Sequence, residues 1–592
     1  MTQTTTSNRE AMAVAEDARE KTWKPSFLKE LFLGSFNFKM IDPFPTSEHS
    51  DEFKKFYQSL AAFLRTKVDP GAIDRAGEYP VEVLDGLRKL GAFGMKIPKE
   101  YGGLGFTQSE YDTTMKLLGS YDGNLTALLS AHQSIGAPQP LKLFGTEEQK
   151  KKYLPRLAAG AISAFALTEP GVGSDPSSMK STVSRVAGGF VLNGIKLWCT
   201  NSTLAEIIVV MAKHDDTNKM SAFIVEMNSP GVVIEHRCRF MGLKALSNAQ
   251  LSFKEVFIPQ ENLIGPEGKG LKIALTTLNT GRLAVPAACV GAAKECLKAV
   301  RRWTNDRVQW GQSIGKHEAV AQMVSDIASH AFAMEALADL GSELATAGES
   351  DIRLEASAAK EFNTFYGWKI IDDTMQIRGG RGYETEASLE ARGELPVPIE
   401  RMMRDFRINR IFEGSSEIMH LFITREAVDK HIQVAGALAK PESSALHKLR
   451  DFVCRALPFY AWWYPYKWVA WRQFTLFGYG KLGKHLRFAE RNSRKLARSI
   501  FYAMMIHRGG LERKQALLFR LVDIALDLYA MSATISKARK INTKAATELA
   551  DVFCRTAERR IEAKFKALWF NDDKAKYKMA RSIMSGEMMW VE

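Results

Sequence analysis

Along residues 48–160 apolar side chains recur at helical spacing, as in FKKFYQSLAAFLRTKV and VEVLDGLRKLGAFGM, and turn clusters such as Tyr101-Gly102-Gly103 interrupt them. From 161 to 270 the period falls to two. STVSRVAGGFVLNGIKLWC holds three short alternating runs separated by Gly188-Gly189 and Asn193-Gly194, and an Asn-Gly between alternating residues predicts a hairpin turn. IIVVMA, SAFIVEM and LSFKEVFI continue as strands. Helical spacing returns over 271–434, with long Ala-rich helices near Val285 to Asn305 and His317 to Ala347. A Pro441-Glu442-Ser443-Ser444 linker leads to a further helical stretch, 445–592. Residues 1–47 read as an arm packed on the surface, polar at first and then apolar (SFLKELFLGSFNF). The expected fold is α+β and mainly α: a helical N-terminal domain, a small antiparallel β-domain, a C-terminal four-helix bundle and an additional C-terminal helical domain. The order helical, β, helical, helical excludes a doubly wound α/β sheet.

Composition narrows the function. The 592 residues are 46% hydrophobic and 25% charged, which excludes a largely disordered or fibrous chain. The six cysteines are dispersed with no C-x-x-C pair, so a zinc ribbon or disulfide scaffold is not expected and a reducing compartment is. Net charge is +14, and its distribution matters more: residues 440–510 hold fourteen Lys/Arg against three Asp/Glu, a net of +11, leaving +3 for the rest. That local field points to an anionic surface. No apolar run is long enough to span a bilayer, and the first residues, MTQTTTSNREAMAVAEDAREK, lack a signal-peptide core. A cytoplasmic, bacterial protein is expected.

Four stretches offer chemistry. In Phe165 to Asp175, FALTEPGVGSD, a strand end runs into Gly171 and Gly173, which let a backbone approach a flat or anionic ligand, with Thr168 and Ser174 as hydroxyl donors. An ordinary loop reads the same way. KLWCTNS ends a strand with Trp198, Cys199 and Thr200, and the tryptophan alone suits a core. QIRGGRGY places Gln376, Gly379 and Gly380 at a helix end, which also suits a C-cap. RINRIFEGSSEIMHL sets Glu413 on a Gly-Ser-Ser loop before a helix, where a capping or surface acid is the plain alternative. Gly478-Tyr479-Gly480-Lys481-Leu482-Gly483 has the form of a dinucleotide fingerprint, but it lacks a surrounding βαβ unit and a following acid. No metal motif or serine-nucleophile motif is present.

Taken together, these stretches resemble the acyl-CoA dehydrogenase family. The likeness extends through IPKEYGGLGF, LTEPGVGSD, KLWCTNS, MGLKA, NTGR, DRVQWGQSIG, QIRGGRGYETE and RIFEGSSEI, over about residues 48–432. AHQSIG, SFLKELFLGSF and LLFRLVDIALDLYAMSATISKA look like the very-long-chain members, which carry an extra C-terminal helical domain. The resemblance implies an FAD enzyme that desaturates long- or very-long-chain fatty acyl-CoA to trans-2-enoyl-CoA, with electron-transferring flavoprotein as acceptor. It places Phe165, Leu167, Thr168, Gly173 and Ser174 along the flavin, with Trp198, Cys199 and Thr200 beside it. Ser174 also reaches substrate. Arg307, Trp310, Gln376, Gly379 and Gly380 reach the FAD of a neighbouring subunit, which implies a homodimer or higher homo-oligomer. Ser415, Ser416 and Glu417 lie on the adenosine side, and Arg282, Phe412, Glu413 and Gly414 at the substrate. Glu413 falls where most members hold the catalytic base. Some relatives place theirs before the NTGR arginine, where this chain has Gly281. Trp310, Arg378 and Glu417 depart from the residues most relatives carry, and Arg378 brings a charge near FAD.

From Arg455 to Tyr479 there are eleven aromatics in twenty-five residues, followed by a basic stretch. Trp and Tyr favour the lipid–water interface and Lys/Arg favour anionic lipid, so residues 455–500 are expected to dock peripherally on the inner face of the membrane. Packing on the protein is the alternative. Nucleic acid is not expected, because no binding module accompanies the charge. A non-catalytic scaffold or a flavin oxidase on the same fold are the other readings.

Overall fold

A computed structural model describes residues 24–439, 444–469 and 471–592. The first 23 residues of the arm and Pro441 to Ser443 of the linker lie outside the described residues, as do the side chains of Trp471, Phe474 and Phe477. The chain divides into two compact units: the first holds residues 45–416 and the described end of the arm up to Pro25, and the second holds 26–44 and 417–592.

In the first unit, helix Asp51–Lys67 starts at an N-cap, where the Ser50 hydroxyl accepts from the Phe53 amide, and it buries Phe53, Phe56, Leu60 and Leu64 at helical spacing. Helix Gln108–Tyr121 begins in a capping box between Thr107 and Glu110. Three long helices follow the sheet: Gly270–Asp306, Glu318–Ala347 and Arg353–Arg378. The first starts well before Val285, because Pro286 sits inside it and costs only the N–H that the Arg282 carbonyl would have received. Helices Gln108–Tyr121 and Gly270–Asp306 cross with backbones nearly touching. A Cβ on Gly119 would lie 2.3 Å from the Ala288 carbonyl oxygen, and one on Gly291 2.1 Å from that of Lys116. Glycine is required at that crossing, which fixes the depth of everything hung on the two helices.

The sheet comprises β1 (Ser163–Ala166), β2 (Thr182–Val186), β3 (Gly189–Cys199), β4 (Ile207–His214), β5 (Met220–Glu226), β6 (Val232–Arg237), β7 (Ala249–Pro259) and β8 (Leu263–Ile264). Its order is β6-β7-β3-β2-β4-β5-β8, with β1 also paired to β4. It is mixed rather than antiparallel throughout, since β1 and β2 both run parallel to β4. That pairing leaves β4 buried on both faces, and its IIVVMA run is accordingly apolar without alternation. Asn193-Gly194 is not a hairpin turn. Strand β3 passes straight through it, with a register shift against β7. A Cβ on Gly194 would lie 2.2 Å from the Ser181 hydroxyl oxygen, so this glycine answers a close approach at a bulge, and the β2–β3 turn falls at Gly188 instead.

In the second unit the apolar half of the arm is core, not a surface strap. Helix Phe27–Phe32 buries Phe27, Leu28, Leu31 and Phe32. Phe27 packs edge-on to Phe36 and against Tyr529, and Ser536 donates to the Ile41 carbonyl at 2.5 Å. Trp463 donates to the Leu33 carbonyl and Lys467 to that of Gly34. Four nearly buried aromatic or aliphatic side chains at about 1.5–3 kcal/mol each make this six-residue helix a structural requirement. The glycine triplet from Gly478 runs from a 3-10 stretch, Trp471–Leu482, into helix Gly483–His507, with no strand beside it among the described residues, so it is no dinucleotide fold. The aromatic tail divides. Trp463 is buried and Tyr460 stacks on His431, whereas Trp462 is 80% exposed and Trp468 59%. No helix among the described residues is long and apolar enough to cross a membrane.

Candidate active site

Glu413 stands on a loop that ordinary backbone preferences disfavour. Its φ is +53° and that of Gly414 is +93°. Glycine tolerates such a value, but a glutamate held there costs about 1–2 kcal/mol. The loop is tied by Lys360 on helix Arg353–Arg378, whose Nζ donates to the Gly414 carbonyl at 2.6 Å and whose side chain is wholly buried. The Glu413 Oε2 is buried and has no hydrogen-bond partner among the described residues. Burial pushes its pKa above the ordinary carboxylate value, and the nearby Lys360 and Arg282 charges work against that rise. Arg282 is itself buried, donates to the Asn279 side chain at 2.8 Å, and is lowered to about 10 by the same desolvation. A Cβ on Gly281 would stand 3.5 Å from Glu413 Oε2, so the two positions at which a base is expected face one point. Behind them the Tyr111 hydroxyl meets Ser134 at 2.9 Å, both buried.

Beside this loop lies a cavity of about 330 Å³. Phe412 lines one part of it, and its wall includes Gly119, Ala127, Ala284, Ala288 and Ala292. The small residues follow from the close helix crossing, where larger side chains would collide.

The β-sheet supplies a second group. The loop after β1 carries Leu167 and Thr168, and the Leu197 amide donates to the Thr168 carbonyl at 2.9 Å, which sets Thr168 beside Trp198. A buried ion pair pins this junction: Lys196 Nζ and Glu169 Oε1 are 2.8 Å apart, and Glu169 also accepts from the Lys180 and Ser181 amides. Trp198 is not core. It has φ +55° and is 57% exposed, so its ring stands out of the sheet. Thr200 is adjacent, with its hydroxyl accepting from Asn248 at 3.2 Å. Cys199 points inward, and burial pushes its thiol up to about 12, which removes it from thiolate chemistry. Phe165 is half-buried, and Cβ atoms on Gly171 or Gly173 would meet nothing within 4 Å. The loop before Ser174 is therefore open to a ligand's face.

The structure thus gathers Phe165 to Ser174 with Trp198 to Thr200, and separately Arg282 with Phe412, Glu413 and Gly414. It does not bring Arg307, Trp310, Gln376, Gly379 and Gly380 to either group. Arg307 stands over Trp303, whose indole donates to the Ile377 carbonyl next to Gln376, and Trp303 lies twenty-one residues beyond Arg282 on the same helix, about 32 Å at 1.5 Å per residue. Trp310 is 90% exposed, and Gly379 and Gly380 have open space where a Cβ would be. Ser415 precedes helix Ser416–Ala439, and Glu417 lies in its first turn. Lys360 escaped sequence reading, although a charge inside the run Ala356-Ser357-Ala358-Ala359 on a helix that buries all its neighbours was its signal. Trp303 gave none.

Family models match in sequence order: Acyl-CoA dehydrogenase N-terminal domain over 50–161, middle domain over 164–256, C-terminal domain over 268–428, and ACAD9/ACADV C-terminal domain over 481–588. Probable acyl-CoA dehydrogenase FadE10 of Mycobacterium tuberculosis is 48% identical across 100% of this chain and 93% of its own. Very long-chain specific acyl-CoA dehydrogenase of human mitochondria is 31% identical over 93% of this chain and 85% of its own. Among solved structures, an acyl-CoA dehydrogenase from Bacillus anthracis complexed with FAD superposes with a TM-score of 0.75 at 27% identity, covering 94% of each chain. Likeness at that level over nearly the whole length, with the domains in the same order, means that this chain belongs to the acyl-CoA dehydrogenase family.

Proposed function

We propose that the protein catalyses FAD-dependent α,β-dehydrogenation of long-chain fatty acyl-CoA thioesters, with Glu413 removing the α-proton. The observation that carries this reading is the buried Glu413 carboxylate, one oxygen unpartnered among the described residues, on a loop whose neighbour Phe412 lines a cavity. The residues of the β-sheet fit FAD: an exposed indole beside two threonines, facing a glycine loop with no Cβ to obstruct a planar ring. Thr168, Ser174 and Thr200 would hydrogen-bond it and Trp198 would lie along it. When bound, FAD supplies the two-electron acceptor for the hydride leaving Cβ.

The chain's own part is acid–base chemistry and alignment. A general base works best with a pKa near the operating pH, and a glutamate starts too low. Burial raises Glu413 toward that range, while Lys360 and Arg282 keep the carboxylate form accessible. The Lys360 bond to Gly414 holds the loop in its positive-φ conformation, so the carboxylate need not search for its position once substrate has excluded water. The cavity sets chain length. Its wall on helix Gly270–Asp306 runs from Ala284 to Arg302, about 27 Å at 1.5 Å per residue. An extended acyl chain advances about 1.3 Å per carbon, so a wall of that length flanks a long-chain rather than a short-chain acyl group. Electrons then pass to electron-transferring flavoprotein. Anaerobic addition of palmitoyl-CoA should bleach the bound flavin of the wild-type protein, and a bleaching rate unchanged in Glu413→Gln would remove the assignment.

We further infer peripheral docking on the inner face of an anionic membrane. Leu446 and Leu449 are exposed on the same stretch as Trp462 and Trp468. Arg450 and Arg455 lie between them, each paired with Asp451, and Arg450 also meets the His447 ring at 3.2 Å. Part of the basic charge is internal, as in the buried Arg494–Glu490 pair and the Lys481 and Lys484 pairs with Asp551, so the aromatics rather than the whole basic stretch are the contact. Co-sedimentation with phosphatidylglycerol vesicles should fall in a Trp462→Ser, Trp468→Ser double variant, and unchanged binding would end the idea.

A further inference from the structure

The cavity beside Glu413 has charge in its wall as well as alanine. Arg401 and Asp405 line it, one turn apart on one face of helix Ile399–Phe406, and so does Asp122. All three side chains are buried. The Asp405 Oδ1 accepts from the Leu243 amide at 2.6 Å, and its Oδ2 has no hydrogen-bond partner among the described residues. A Cβ on Gly123, itself part of the cavity wall, would lie 3.2 Å from that Oδ2. Arg401 donates to Glu386 at 3.1 Å and lies 3.7 Å from Asp122, which leaves its Nε buried and without a partner among the described residues. Burial pushes the Asp405 carboxyl up to about 7, with the Leu243 amide and Arg401 opposing the rise and the Asp122 charge adding to it. Against methylenes alone, a guanidinium N–H and a carboxyl oxygen in the cavity wall stay unsatisfied. A hydroxyl both donates and accepts, so one hydroxyl on the chain can receive from Arg401 Nε and bond the open Asp405 oxygen in either protonation state of that carboxyl.

We propose that Arg401 and Asp405 form a subsite for a hydroxyl carried on the acyl chain, so that acyl-CoA thioesters hydroxylated along the chain are substrates beside unsubstituted ones. This rests on the reading above that the cavity receives the acyl chain. Helices Gln108–Tyr121 and Gly270–Asp306 run antiparallel, because Gly119 meets Ala288 and Gly291 meets Lys116. Gly123, just past the first of them, therefore stands level with Ala284 to Ala288 of the second, about 4–11 Å beyond Gly281 and the Glu413 carboxylate at 1.5 Å per residue. At about 1.3 Å per carbon, the hydroxyl belongs on about the fifth to the tenth carbon.

The test compares kcat/KM of the holoenzyme for palmitoyl-CoA and 8-hydroxyhexadecanoyl-CoA. A hydroxyl buried without partners costs about tenfold to hundredfold, so a wild-type value within about fivefold of palmitoyl-CoA is expected only if the hydroxyl finds both groups. Arg401→Lys keeps a charge facing Asp122 and Glu386 but removes Nε. Asp405→Asn keeps an acceptor for the Leu243 amide but removes the carboxylate. Each should lower the ratio of hydroxylated to plain turnover by about tenfold, the loss of one hydrogen bond to a charged group. Both substrates are read on the same protein, so a general loss of FAD or of folded enzyme leaves that ratio where it was. A wild-type penalty above about fivefold overturns the subsite whether or not the variants fold, and so does a ratio that either substitution leaves unchanged. Palmitoyl-CoA that fails to bleach the flavin removes the acyl-chain reading and the subsite together, whereas normal palmitoyl-CoA turnover with the hydroxylated chain penalised removes the subsite alone.

Discussion

Ala292→Phe tests whether the cavity beside Glu413 is the acyl tunnel. Ala292 lies eight residues beyond Ala284 on helix Gly270–Asp306, about 12 Å along the wall, with about 15 Å of wall continuing to Arg302. A phenyl ring there closes the cavity at that depth and leaves the part nearer Phe412 open. An octanoyl chain, about 10 Å long at about 1.3 Å per carbon, ends short of the plug, whereas a palmitoyl chain passes it. About nine carbons fit ahead of the plug, so about seven methylenes of palmitoyl are turned back into water; at about 0.8 kcal/mol each they cost about 5–6 kcal/mol, or about 10⁴-fold in kcat/KM. The assay is dye-coupled oxidation of octanoyl-CoA and palmitoyl-CoA by wild type and variant at matched flavin content. Palmitoyl-CoA turnover should fall by about that factor while octanoyl-CoA stays within a few-fold. Equal losses for both substrates, or none for either, would refute the placement of the chain. A variant that no longer holds FAD would show the ring displacing a helix instead, and Ala292→Leu then repeats the comparison with a smaller plug.

Three other outcomes follow from the same geometry. Glu413→Gln should lower the reductive rate by about 10²–10⁴-fold with FAD still bound, as measured by anaerobic stopped flow. Lys360→Met removes a positive charge that favours the Glu413 carboxylate, so the acid limb of the kcat/KM–pH profile should move to higher pH, and a limb moved to lower pH would contradict the pairing. Lys196→Met leaves Glu169 buried without its partner and should cost about 3–5 kcal/mol, read by urea unfolding. Burial pushes the Glu169 carboxyl up, but Lys196 and its other donors outweigh that and hold it below its usual value. The wild-type pair therefore contributes stability above that range and loses it as pH falls through the depressed pKa, and the variant's acid dependence should be flatter.

The sequence by itself determined the local elements. Short continuous apolar runs marked β4 and β5, alternation marked β7, helical spacing marked the long helices, and the order of glycine-bearing loops identified the family, because propensity and burial act over a few residues and leave their pattern in the chain. Tertiary structure decided what depends on residues far apart. Asn193-Gly194 reads as a turn from its own chemistry, yet it is a bulge because Ser181 passes over Gly194. The arm reads as a strap, yet it is core because Tyr529 and Ser536 lie five hundred residues along the chain to receive it. Glu413 could be named from its motif, but only folding sets Lys360 and Gly281 against it, and only folding buries Arg378 against the Trp303 indole. Charge, burial and close backbone approach are properties of neighbours in space, and a linear pattern does not carry them.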